Sequence, residues 1–374
     1  MSAALLNGTF IQGFELDDWH SEAPLHSNAI ILPSLLAAVS SVAKSGQKVN
    51  GSSFLLAYLV GLEVGPRVGN ALYGKHVLTT GWHSGAVFGP SVSAAASSKL
   101  LELSAAQTED ALGIACTQAC GLMSAQFESE VKRMQHGFAA RNGLLGTLLA
   151  RGGKGNGKEP QYLLDEITKG VGEEWKTENV RLKPYAAMAA THAGIDCVRK
   201  LQEQHPVKIK DLKEIKSIEL HMGEVSFHHG GFKLSRPATS VGAQMSIAYA
   251  SMTQLLDNQV MPAQFRHDML ERDAIWELVD KTTCVLDDSL NFGQRIEVVF
   301  EDGVKLEAEV KAARGVNPEL SNREIVEKWR GLTNGVIDDE RRDRIEKLCL
   351  GLEGLEDVLE LEELLVGITK NPIA

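Results

Sequence analysis

The stretch SGAVFGPSVSAAASSKLLEL, residues 84–103, has helical apolar periodicity built almost wholly from glycine, alanine and serine, with Val, Phe and Leu between them. Such a helix is expected to let its neighbours approach closely. ILPSLLAAVSSVAKSG (31–46) and SFLLAYLVGLEVG (53–65) repeat the pattern, so the region from Ile31 to Ala150 reads as a closely packed helical body. SAAQTEDALGIACTQACGLMSAQ (104–126) opens with Ser104 and Gln107 at capping-box spacing and predicts a further, buried helix on which Cys116 and Cys120 share one face.

Outward from this body the pattern changes. RGGKGNGKEP (151–160) is the clearest break and reads as a linker; it lacks the spacing and the Ser or Thr of a phosphate loop. Beyond it IKSIELHMG (215–223) alternates as a strand, and RIEVVF, EDG and VKLEAEV (295–310) form a hairpin turning at Asp302 and Gly303. SVGAQMSIAYASMTQLL and RDAIWELVDKTTC read as helices packed on one face of a small antiparallel sheet. From Ser321 the chain is helical again, with Ser321 and Glu324 at capping-box spacing, and this tail is expected to rejoin the first domain. The expected fold is mainly α with a smaller α+β lid: a helical domain from 1–155 and 319–374, and the lid from 178–318.

A chain of 374 residues is long enough for two cores and a buried pocket. The formal charge of −11 argues against nucleic acid, whose binders need clustered basic surface, but leaves room for a small anion in a locally cationic cleft. Five scattered cysteines without paired spacing fit a reducing compartment, the cytoplasm by default, and no structural zinc. No window reaches the roughly 20 apolar residues of a membrane span, so a soluble protein is expected.

Three segments carry candidate chemistry. ELDDWHSEAPLH (15–26) gathers Glu15, Asp17, Asp18, His20, Glu22 and His26. The histidines are six apart across Pro24, not the three- or four-residue step that zinc prefers on a helix, so an acid/base site and a solvated or capping loop are both open readings. GWHSGAVFG (81–89) sets His83 ahead of a helix N-terminus, where oriented N–H dipoles favour neutral imidazole and attract an anion; a satisfied core histidine is the rival reading. VKRMQHGFAARNG (131–143) puts Lys132 and His136 on one helical face, with Arg133 and Arg141 nearby, and suits a polycarboxylate if it is not a solvated face. His192 in AATHAG, and His228 and His229 in SFHHGGFK, are lesser candidates on the lid side.

ELDDWHSEAPLHS, GWHSGAVFG, and GIACTQACGLMSAQ followed by VKRMQHGFAARNGLLG resemble the MmgE/PrpD family, and its fungal decarboxylase branch in particular, across most of the chain. The resemblance implies a helical domain built from both chain ends plus an α+β lid, a homodimer, and a cleft between the domains. It implies decarboxylation of cis-aconitate to itaconate without metal or organic cofactor, with 2-methylcitrate or alkylcitrate dehydration as the alternative. Carried over residue by residue, the family's histidines fall on His26 and His83, its lysine on Lys132 and its acid on Glu15. Asp17, Asp18, His20, His136 and His192 are expected to contact the small tricarboxylate substrate, with Glu15 and Asp17 orienting the imidazoles. The chain reads as departing from the family pattern: it is expected to lack the helices that normally precede the LLNGTFIQ segment, is shortened at RGGKGNGKEP, has Met188 where mammalian decarboxylases place histidine, and offers no secure counterpart of the lid tyrosine. A shortened, inactive paralogue that binds a carboxylate or a sister subunit is therefore a third reading.

Overall fold

The computed structural model describes residues 1–126, 129, 131–153 and 167–371, so most of RGGKGNGKEP lies outside the described residues. The body is formed by α1 (Ser2–Gly13), α2 (Asn28–Ala43), α3 (Gly51–Ala71), α4 (His76–Thr79), α5 (Ser84–Leu100), α6 (Ala105–Cys116) and α7 (Val131–Arg151). At its centre, every residue of α5 except Val87 and Lys99 is buried. Small side chains make this possible. A Cβ on Gly89 would strike Ile30 and Ala139, one on Gly143 of α7 would strike Pro90 O and Ser93, and one on Gly65 of α3 would strike Val92 and Leu25. Phe54, Phe88, Ile30, Ile31, Leu35, Val92 and Leu144 fill the remaining space.

The predicted capping box of Ser104 and Gln107 is present at α6, and Asn50, which the sequence reading did not single out, caps α3 by accepting from Ser53 N at 2.8 Å. α6 is nevertheless shorter and more exposed than its apolar spacing predicted. It stops at Cys116, only Ala111 and Ala115 are buried, and Cys120 lies beyond the helix, so the two thiols do not share a helical face. The apolar positions there are mostly small, and one face of alanines covers too little area to draw the whole helix inward.

A two-strand ladder absent from the sequence reading joins the helical body to the lid: β1 (Asp18–His20), between α1 and α2, pairs antiparallel with β2 (Val180–Leu182). Then come α8 (His192–Gln204), β3 (Ile215–Met222), α9 (Glu224–Gly230), α10 (Ser240–Met245), α11 (Ile247–Asp257), α12 (His267–Leu270), α13 (Asp273–Asp280), β4 (Thr282–Leu286), β5 (Gln294–Phe300) and β6 (Lys305–Val310). The hairpin β5–β6 turns at Asp302–Gly303, with Gly303 at φ 84. The sheet order is β4-β3-β5-β6, and β3 runs parallel to β4. The expected purely antiparallel sheet is thus mixed. Thr282, Thr283 and Cys284, which the sequence reading assigned to the preceding helix, open β4, where five residues are too few to display a period of their own. Ile218, Leu220, Met222, Ile296, Val298 and Phe300 form the lid core with Val198, Leu201, Tyr249 and Met252 from α8 and α11.

The tail forms α14 (Asn322–Thr333), α15 (Asp339–Leu350) and α16 (Leu359–Leu365), with the Ser321/Glu324 capping box at α14. Val358 is fully buried in the core of the helical body, and its amide donates to Val49 O at 2.8 Å. Gly51 at the start of α3 packs on Leu352 O, where no Cβ would fit.

Candidate active site

α1 ends at Gly13, and two residues later Glu15 takes left-handed backbone, φ 51, an uncommon and mildly strained conformation for a side chain of this size. This turn sends its carboxylate into the interior, where the residue is 1% exposed. Three cations meet there. The Lys132 ammonium contacts Oε1 directly, Arg133 Nη1 lies 2.5 Å from the same oxygen, and Lys183 Nζ lies 2.6 Å from Oε2. Burial alone would raise the Glu15 carboxyl; Lys132, Lys183 and Arg133 outweigh it and hold the group well below the usual range. Lys132 is pulled down to about 8 by burial, with Glu15 opposing. Burial also opposes charge on Lys183, but Glu15 and Asp17 keep it raised.

Asp17 links this cage to the imidazoles. Its Oδ1 is 3.3 Å from Lys183 Nζ and its Oδ2 is 3.1 Å from His26 Nδ1, which also lies 2.7 Å from the Asp18 carbonyl. A carbonyl only accepts, so Nδ1 carries the hydrogen and Nε2 is the nitrogen free to face a ligand. His83 occupies the N-cap position of α5. His136, one turn from Lys132 on α7, stands between the other two rings: its centroid is 5.1 Å from that of His26 and 5.1 Å from that of His83, with planes at 84° and 88°. His83 Nδ1 and both nitrogens of His136 are buried without a hydrogen-bond partner among the described residues. Burial first, then the neighbouring cationic groups, keeps both imidazoles well below their ordinary value and hence neutral. His136 fits only because residue 85 is glycine, where a Cβ would overlap its Nε2.

The lid supplies groups that the sequence reading missed or placed low. Gln244 on α10 accepts from Arg133 Nη2 at 2.5 Å and donates to Ala186 O at 2.9 Å. His229, at the end of α9, is lowered to about 4 by burial and then by the charge of Lys132. Lys183 left one signal, a lone cation in the otherwise apolar run LKPYAAMAA. Gln244, a neutral amide in a helical run, left none.

Other expected residues are engaged elsewhere. The Asp18 carboxylate accepts from Ser27 N at 3.1 Å and Asn28 N at 2.8 Å, holding the entry to α2; burial and Asp17 raise it to about 7. His20 does not face a ligand, because Nδ1 accepts from Ala23 N at 3.1 Å and Nε2 lies 3.0 Å from Lys176 O. His192 places Nε2 3.0 Å from Ala187 O, with Tyr185 against its ring. Arg141 turns to Asn142 and Phe138. These side chains stabilise the loops and helices around the cluster by satisfying local polar groups.

The arrangement favours an anion. Among the described residues, Lys132, Arg133 and Lys183 face Glu15 and Asp17 as opposing charges within the cage, and a dication would meet three like charges. The carboxylate–imidazole group with metal-like spacing, Glu219, His221 and Glu297, lies on the lid sheet, where Lys305 already pairs with Glu297 at 2.5 Å. A cavity of about 1350 Å³ between α1, the lid and α14 is lined by Asp17 and Lys328 but by none of the clustered imidazoles.

Comparison with known proteins agrees with this architecture. A protein of Aspergillus oryzae described as "Cis-aconitate decarboxylase-like protein oryM" is 46% identical over 98% of this chain and 82% of its own length. "Cis-aconitate decarboxylase" of Aspergillus terreus is 42% identical over 100% of this chain and 82% of its own. The Homo sapiens protein of the same name is 26% identical over 100% and 80%. The MmgE/PrpD N-terminal domain profile matches residues 1–166 and the C-terminal domain profile residues 185–352, and the chain belongs to the MmgE/PrpD family.

Proposed function

We propose that this chain is a cis-aconitate decarboxylase that releases CO2 and itaconate without a metal or organic cofactor. The observation that carries the reading is the buried cage of Lys132, Arg133 and Lys183 beside the imidazoles of His26, His83 and His136. The Aspergillus terreus relative bears that activity in its name, and the substrate is a small tricarboxylate of the kind such a cage attracts.

The reaction breaks the bond between the CH2 carbon of cis-aconitate and its carboxylate. The electron pair spreads over the adjacent alkene as an allylic dienolate, and a proton arrives at the far carbon to give itaconate. The site must hold the retained carboxylates, leave the departing one less stabilised, and deliver one proton. We assign the proton to His26 as its imidazolium: Nδ1–H is held by Asp17 and the Asp18 carbonyl, and Nε2–H gives up the proton, leaving the neutral ring with its hydrogen on Nδ1. His83 and His136, neutral and with His83 Nδ1 and both His136 nitrogens unpartnered among the described residues, serve as hydrogen-bonding walls, and Lys132 anchors a retained carboxylate. Glu15 orders the three cations rather than orienting an imidazole.

The chain is further read as a cytoplasmic homodimer, with a helical domain from residues 1–155 and 319–374 and a lid from 178–318. No described helix is long and apolar enough to cross a membrane. The test is purified protein supplied with cis-aconitate, following CO2 and itaconate, beside a citrate-type substrate monitored for alkene formation. His26→Ala and Lys132→Ala should each lower turnover about a hundredfold or more. Alkene from the citrate-type substrate without CO2 from cis-aconitate would replace the decarboxylase by a dehydratase.

A further inference from the structure

Lys328 lies on α14, in the C-terminal tail, and no carboxylate is among its hydrogen-bond partners in the described residues. Its ammonium donates instead to two main-chain carbonyls, Leu16 O and Lys183 O, each at 2.7 Å. Both carbonyls belong to the cage. Leu16 stands between Glu15 and Asp17, and Lys183 is the cation that holds both of their carboxylates. Besides the Lys183 ion pairs, the main chains of these two segments meet through ordinary ladder contacts, with Lys183 N donating to Asp17 O at 3.3 Å and Asp18 registered against Leu182.

An ammonium drawn out of water is costly unless acceptors replace its hydration. Burial lowers Lys328 to about 8, with Asp17 opposing. A lysine kept there therefore has a use for its two acceptors, and carbonyls joined through one ammonium cannot separate without losing a charge-assisted bond.

We propose that Lys328 is a positioning residue for the reaction: by clamping the main chain at Leu16 to that at Lys183, it sets the spacing between the Glu15 and Asp17 carboxylates and the Lys183 ammonium. The inference rests on the decarboxylase reading for its substrate. It requires Lys328 to act through Lys183 rather than on the ligand, so the two residues are one unit energetically.

The experiment is a double-mutant cycle with Lys328→Met and Lys183→Met, reading kcat/KM for cis-aconitate and the melting temperature. A misplacement near 1 Å costs up to about a hundredfold, so Lys328→Met should lose about ten- to a hundredfold while melting cooperatively. The double variant should be no worse than Lys183→Met alone, within about twofold. Losses that multiply in the double variant, or full kcat/KM in Lys328→Met, overturn the proposal. If Lys328→Met has no cooperative melt, the same cycle is run with Lys328→Gln. If the unmodified protein fails to turn over cis-aconitate, the decarboxylase reading fails by itself, and the cycle is read on citrate affinity by calorimetry with the same expected non-additivity. No citrate binding by the unmodified protein overturns both.

Discussion

Replacing Glu15 by glutamine keeps the shape of the side chain and removes the charge on which three buried cations converge. At 2.5 and 2.6 Å, each of the Arg133 and Lys183 contacts is an attraction of about 6 kcal/mol at an effective dielectric near 20, and Lys132 adds a third. Most of this is offset by the desolvation of the ions. Breaking a buried pair by removing one partner costs a net of about 3–5 kcal/mol, and Glu15 serves three partners, so the upper part of that range applies. At about 2–4 °C per kcal/mol for a domain of some 150–250 residues, the melting temperature should fall by about 8–20 °C. Citrate brings carboxylates to the same cations, so a saturating concentration should raise the melting temperature of Glu15→Gln more than that of the unmodified protein. Differential scanning calorimetry with and without citrate measures both quantities. A drop under about 2 °C, or a smaller citrate shift in the variant, would refute the claim that Glu15 balances the cage.

Two further outcomes follow from the same geometry. Lys132 is lowered from its ordinary value to about 8, so kcat/KM should fall as pH rises through about 8, and this limb should move out of range in the residual activity of Lys132→Arg. The sign for stability is opposite: between about 8 and 10.5 the unfolded chain holds a proton that the folded one has released, so the folding contribution of Lys132 rises with pH while activity declines. Gly85→Ala pushes a Cβ into His136 Nε2 and should cost about 1–3 kcal/mol in urea unfolding. Adding His136→Ala should recover most of that loss, and an unchanged midpoint in the single variant would contradict the packing described.

Much of the fold was legible because it depends on neighbours within a few residues. Ser104 with Gln107 and Ser321 with Glu324 mark helix starts at the capping distance, and Asp302–Gly303 marks a hairpin because only certain residues tolerate its backbone. β4 escaped because Thr282–Leu286 follows α13 without a break in pattern, and its parallel pairing with β3 is a contact across some 60 residues of intervening chain. Part of the candidate site was legible for the local reason as well. Lys132 and His136 share a helical face by spacing alone, and His83 announces itself by preceding a small-residue helix.

By itself, then, the sequence determined most of the helices and the β5–β6 hairpin, the capped starts of two helices, and which residues carry acid, base or cationic chemistry, because these are properties of a residue and its near neighbours. Tertiary structure alone decided which of those groups meet. It turned His20 and the Asp18 carboxylate toward main-chain amides, and it brought Lys183, Gln244 and Lys328 to the segment around Glu15 across separations of 168 to 312 residues. It also set the charge states, since the neutrality of His83 and His136 and the lowered Lys132 follow from burial and from charges supplied by distant parts of the chain.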